Sequence, residues 1–143
     1  MYTAQPKTRQ AARTSWILYD WASSPLPTLH GTFVFAVYFT TVIAPENGSF
    51  YWAQMTALSA ILLALAAPVM GRYADSKGLV KQGFIASSLV AAAVTAALWF
   101  IQPSSDFIFL ALILSGLSIF FSEAAFLFYN GPVSYTHLRA HET

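Results

Sequence analysis

Cysteine is absent from this chain of 143 residues, which excludes disulfides, thiolate nucleophiles and cysteine metal sites and leaves the redox compartment unread. Charge is nearly as scarce. Lys and Arg number 7 and Asp and Glu 6, so that charged residues make up only 9% of the chain. A soluble domain of this length needs a charged surface to stay dispersed, and these few charges sit almost entirely outside the long apolar runs. The near-neutral balance gives no basis for a nucleic-acid partner. The three histidines are scattered, so no metal site and no cofactor is expected. What the sequence has in abundance is apolar surface: 57% of residues are hydrophobic and 16% aromatic, the composition of a membrane protein whose solvent is the lipid bilayer.

Met1 to Thr14 is polar and carries Lys7, Arg9 and Arg13 without an acidic residue. It reads as a cytoplasmic lead-in rather than a signal peptide, because the apolar region runs on to Ala44 with no small-residue cleavage site. Within SWILYDWASSPLPTLHG, Pro25 and Pro27 lack an amide hydrogen and push Ser24 and Leu26 out of helical geometry. Two readings stand: a helix that starts with Ser24 as N-cap and Pro25 at its first position, or one proline-kinked helix from Ser15 to Ala44. Thirty helical residues would span about 45 Å, well beyond a hydrocarbon core of about 30 Å. Trp16, Tyr19 and Trp21 fall near the interface in either case.

PENGS, Pro45 to Ser49, is a turn built from helix breakers. The second span, Tyr51 to Gly71, places Ala53, Ala57, Ala60, Ala64, Ala67 and Gly71 on one flat seam, expected to pack on another helix. Pro68 is expected to kink it. GRYADSKGLVK, Gly71 to Lys81, is a charged segment between two uncharged runs and reads as a tight loop. A third span rich in alanine and serine ends at Gln102 to Asp106. The fourth, Phe107 to Tyr129, carries Gly116, Glu123 and Asn130 at heptad spacing, hence on one face. The expected architecture is all-α, with four transmembrane helices at about 15–44, 51–71, 83–101 and 107–129. Basic residues precede the first span and fill the middle loop, whereas the two other loops have none, which places both ends and the central loop on the cytoplasmic side.

At this point the sequence resembles the major facilitator superfamily, and within it the Atg22-like permease group, called UMF1 in bacteria. The likeness rests on WILYDWASSPLPT with TFVFAVYFT in the first span, LSAILLALAAPVMGRYAD in the second and FLFYN at the end of the fourth. The superfamily's loop signature is a glycine, an aspartate four residues later, a glycine three further and a basic pair. Gly71, Asp75 and Gly78 match it, while Leu79 and Val80 stand where basic residues are usual and only Lys81 remains. The resemblance implies a conformational latch in this loop, with Asp75 just before the third helix and near its N-terminus. It also implies about twelve helices in two halves built from inverted repeats, so the chain reads as the N-terminal part of such a fold in a bacterial inner membrane. The tail from about Pro132 to Thr143, PVSYTHLRAHET, abandons the apolar pattern and reads as non-native read-through; an ordinary cytoplasmic loop is the other reading.

The implied activity is secondary transport of a small solute, with a proton as coupling ion and the remaining helices as partners. Glu123 leads the candidates, because a carboxyl group deep in a membrane helix is costly unless paired, hydrated or protonated; a structural hydrogen bond to a neighbouring helix is its alternative. Asp20 heads a polar stripe near the membrane entrance, or caps or pairs with Arg13. His30 could bind solute or relay protons, although an interhelical histidine is the commoner use. Asn130 and Tyr129 close the fourth span. A small four-helix membrane protein that binds partner helices is the competing function. A membrane enzyme using Asp20, His30 and Glu123 ranks last, since nothing positions a nucleophile or metal.

Overall fold

The computed structural model describes the backbone at Thr14, residues 17–19, Trp21 and residues 28–139, with side chains through Asn130. Both proline readings of the first span therefore lie outside the described residues. The chain divides into two units, Met1–Tyr38 and Phe39–Thr143, and every described element is helical.

In the first unit, Leu29–Phe33 forms a π-helical turn closed by Val34 N–H donating to Leu29 O at 2.8 Å, and Phe35–Tyr38 follows as α1. The second unit begins with another π-helical turn, Phe39–Ile43, closed by Ala44 N–H to Phe39 O at 2.9 Å. Thr32, Val34, Val37, Thr40, Thr41, Val42 and Ile43 crowd this stretch with β-branched side chains, which resist the regular α pitch. Leu29–Ile43 is apolar but too short to cross a bilayer unaided. Buried Phe39 packs at a tilt against Trp52, with ring centroids 5.5 Å apart.

Among the described residues, three helices are long and apolar enough to cross a membrane: α2, Gly48–Lys77; α3, Val80–Ala97, extended by a 3-10 turn to Phe100; and α4, Ile108–Arg139. Their outward residues, such as Leu65, Val69, Leu89, Trp99, Phe100 and Phe109, are exposed and suited to lipid. Long apolar helices thus cover the expected second, third and fourth spans, each extending past the expected bounds at one end or both. Between α3 and α4 the Ser104 hydroxyl accepts from the Asp106 amide at 3.3 Å and caps the short turn that starts the next helix.

The segment Gly71–Lys81 is not a loop over most of its length. α2 continues through Arg72, Asp75 and Lys77, and only Gly78 and Leu79 separate it from α3. Polar residues beyond the apolar run cost a helix little, because their side chains reach water while the backbone bonds stay made. The stop is set by Gly78, whose φ of 66° lies in the left-handed region. Leu79 N–H donates to Ala74 O at 2.8 Å and Gly78 N–H to Asp75 O at 3.3 Å, the paired bonds of a Schellman closure. A side chain at Gly78 would strain this turn, so Gly78→Ala is expected to destabilise the fold by about 1 kcal/mol. Urea titration of the helical circular dichroism signal in detergent checks it; an unchanged midpoint would show that the turn relaxes freely.

The packing centre is α4, which contacts both α2 and α3 while those two barely meet. On α4, Ala111, Ser115, Ser118 and Ala125 are buried at spacings of three, four and seven, and with half-buried Ser122 they form a smooth stripe. On α3, Ser87, Ala91 and Leu98 are buried. Thr95 Oγ1 donates to Ala91 O at 2.7 Å, so its contact with Ser118 Oγ at 2.6 Å takes its proton from Ser118. Such a bond between membrane helices contributes about 0.6 kcal/mol on average. Phe128 lies over Gly83, where an added Cβ would stand 3.0 Å from the ring.

The alanine seam of α2 does not pack as expected. Ala53, Ala57, Ala60 and Ala64 are exposed, and Ala67 and Gly71 are half-buried. Instead α2 buries Trp52, Met55 and Ser59, the face on which Ser59 bonds to α4. α2 runs on through Pro68, which lacks the N–H that the Ala64 carbonyl would otherwise accept.

Candidate functional site

Gly116 and Glu123 share the face of α4 turned to α2. Ser59 Oγ donates to Gly116 O at 3.3 Å, and a Cβ on Gly116 would stand 3.2 Å from that hydroxyl and 3.4 Å from Met55 Cγ. Two helical turns further along α4, Glu123 lines a groove of about 380 Å3 formed with Thr56, Ser59, Ala60, Ala64 and Ala67 of α2. The alanine seam therefore walls a groove rather than a packed interface. Among the described residues, Glu123 is the one charged residue lining it. Thr56 Oγ1 donates to backbone carbonyls of its own helix, Trp52 O at 3.0 Å and Ala53 O at 2.9 Å, which leaves its lone pairs as acceptors. A carboxyl group beside hydroxyl acceptors, with no basic side chain in the lining, suits a proton or a donor-rich solute. A wider groove of about 580 Å3, bounded by Tyr51, Leu58, Leu62, Phe109, Ile113 and Leu117 among others, holds no charged residue. The ionisable chemistry lies in the smaller groove.

His30 is buried in the first unit, its ring centroid 5.4 Å from that of Phe35. Asp20 lies outside the described residues. Asn130 is exposed, and its Nδ2 donates to Phe126 O at 3.1 Å on its own helix, so its amide serves α4 itself. Gly71 lies inside α2, and Lys81 is exposed in the first turn of α3. Asp75 occupies the last turn of α2, not a position just ahead of α3. At a helix C-terminus its charge opposes the macrodipole, which disfavours it by about 0.3–1 kcal/mol. Ser59, Ser115 and Thr95 were not singled out from the sequence; Ser115, with Ser118, belongs to the small-residue stripe of α4, Ala111 through Ala125, at helical spacing, whereas Ser59 and Thr95 have no such signal.

Among the described residues, three long apolar helices, by length and composition, are those of a helical, multi-pass membrane protein. The chain is 36% identical over 117 residues to the uncharacterized MFS-type transporter YxiO of Bacillus subtilis (strain 168), an alignment covering 77% of this chain and 27% of that protein. The likeness supports membership of the major facilitator superfamily. No family model matches the chain, and no solved structure matches it.

Proposed function

We propose that the chain is the N-terminal part of a secondary active transporter of the major facilitator superfamily, which moves a small solute across the cell membrane by alternating access. The observation that carries this reading is the 36% identity to an MFS-type transporter along most of the chain. The chain spans 27% of that relative's length, so the solute pathway is completed by further helices. Placement in the Atg22-like group rests on WILYDWASSPLPT and FLFYN, and the cytoplasmic N-terminus on the basic residues Lys7, Arg9 and Arg13. Glu123 carries the coupling proton or meets the solute, and the Gly71–Lys81 segment biases one conformational state through the Gly78 turn.

Reading the gene beyond Asn130 tests the architecture: about eight further apolar spans are expected, completing two six-helix halves. Full-length protein in proteoliposomes, loaded with small amino acids, should then release at least one of them under an imposed proton gradient. A reading frame that closes after four spans would sink the proposal in favour of a small partner-binding membrane protein.

A further inference from the structure

The basic end of α2 carries a third groove. It has a volume of about 390 Å3 and is lined by Pro68, Val69, Arg72, Tyr73 and Ser76. These positions recur at i, i+1, i+4, i+5 and i+8, so they form one face of a single helix. We propose that this face is a seat for an anionic phospholipid, with Arg72 holding the phosphate and the acyl chains lying along Val69 and Leu65.

The order of chemistry along the helix carries the inference. Leu65 and Val69 are 70% and 69% exposed, apolar, and lie within the membrane-spanning stretch. One turn on come Arg72, exposed and with no carboxylate partner among the described residues, and Tyr73, 61% exposed. Beyond them the Ser76 hydroxyl donates to Tyr73 O at 3.0 Å and keeps its lone pairs outward. Hydrocarbon, then cation and phenol, then hydroxyl is the depth profile of a phospholipid read from acyl chain to headgroup. Tyr73 can donate to a phosphate oxygen that Arg72 grips with its fork of N–H groups. Pro68 borders the groove with its compact ring. Lys77 and Lys81 add positive charge nearby, against the single carboxylate of Asp75, so the local field also favours an anion.

The test uses the whole 143-residue chain in mixed micelles of phosphatidylglycerol and phosphatidylcholine, with retained lipid counted by native mass spectrometry. Phosphatidylglycerol is expected to be retained in preference, and Arg72→Gln to cut that preference by about fivefold, the effect of one basic residue at an anionic surface. Lys81→Gln removes the same charge outside the groove and is expected to keep most of it. Equal losses in the two variants would reduce the effect to net charge and overturn the seat, as would equal retention of both lipids by the unaltered chain. Displacement of the lipid by millimolar glycerol phosphate would show that a free phosphate suffices and would equally overturn it. Arg72 is exposed and outside the packed stripe, so circular dichroism should find the variant folded.

Discussion

Replacing Glu123 by Gln in the full-length transporter is expected to lower proton-driven solute movement by about a hundredfold, the low end of what a positioned proton-transfer group contributes. Insertion and folding should be unchanged, because Glu123 makes no packing contact that Gln could not make and lines an open groove rather than the buried stripe of α4. Gln keeps the shape and the acceptor oxygen of Glu but has no proton to release at any accessible pH. The variant therefore separates two roles. If Glu123 carries the coupling proton, downhill solute exchange without a proton gradient survives in Glu123→Gln while uphill movement fails. If it contacts a cationic solute, both fail together, and Glu123→Asp recovers part of each. Uphill transport at the normal rate would remove Glu123 from the mechanism altogether and leave it as a lipid-tolerated or partner-facing carboxylate.

The existence and type of α2, α3 and α4 were legible in the sequence because each holds an apolar run long enough to cross a bilayer, interrupted in α4 only by Glu123. Their ends were less so. Arg72, Asp75, Ser76 and Lys77 look like loop residues by composition, yet the backbone stays helical until the one residue that can adopt positive φ, Gly78. The heptad of Gly116 and Glu123 correctly placed both on one face, since spacing alone fixes that. Asn130 completes the same heptad but spends its amide on Phe126 O, a local choice that spacing cannot reveal. Helix pairing was the harder question. Both α2 and α4 carry small-residue stripes, and a stripe states only that another backbone can approach, not which one does. The stripe of α4 is used, with Ser115 and Ser118 fully buried, whereas the alanines of α2 border the groove of Glu123. The difference lies in hydroxyls, because Ser118 and Thr95 offer a directional bond across the interface and alanine offers none.

Gly116→Val is expected to destabilise the chain by about 1–3 kcal/mol, the usual cost of forcing methyl groups into a filled interface. The first added carbon already stands 3.2 Å from Ser59 Oγ and 3.4 Å from Met55 Cγ, so the further methyls of valine press on side chains that must move. Gly116→Ala is the informative companion. Its single methyl meets a hydroxyl that can rotate, and alanine gains about 1 kcal/mol of helix propensity over glycine, so the two effects offset and stability should change little. Unfolding of the helical signal in a denaturing detergent measures both, and equal midpoints for Val and Gly would show that α2 and α4 are not held at this point. The same contact sets the groove, because Glu123 lies seven residues, about 10.5 Å, further along α4. If valine wedges the helices apart, the walls around Glu123 separate as well. Transport by the full-length protein should therefore fall with Gly116→Val and stay near normal with Gly116→Ala. A loss of stability without a loss of transport would place the solute pathway away from the α2–α4 groove, and would turn the search toward His30 and the first span.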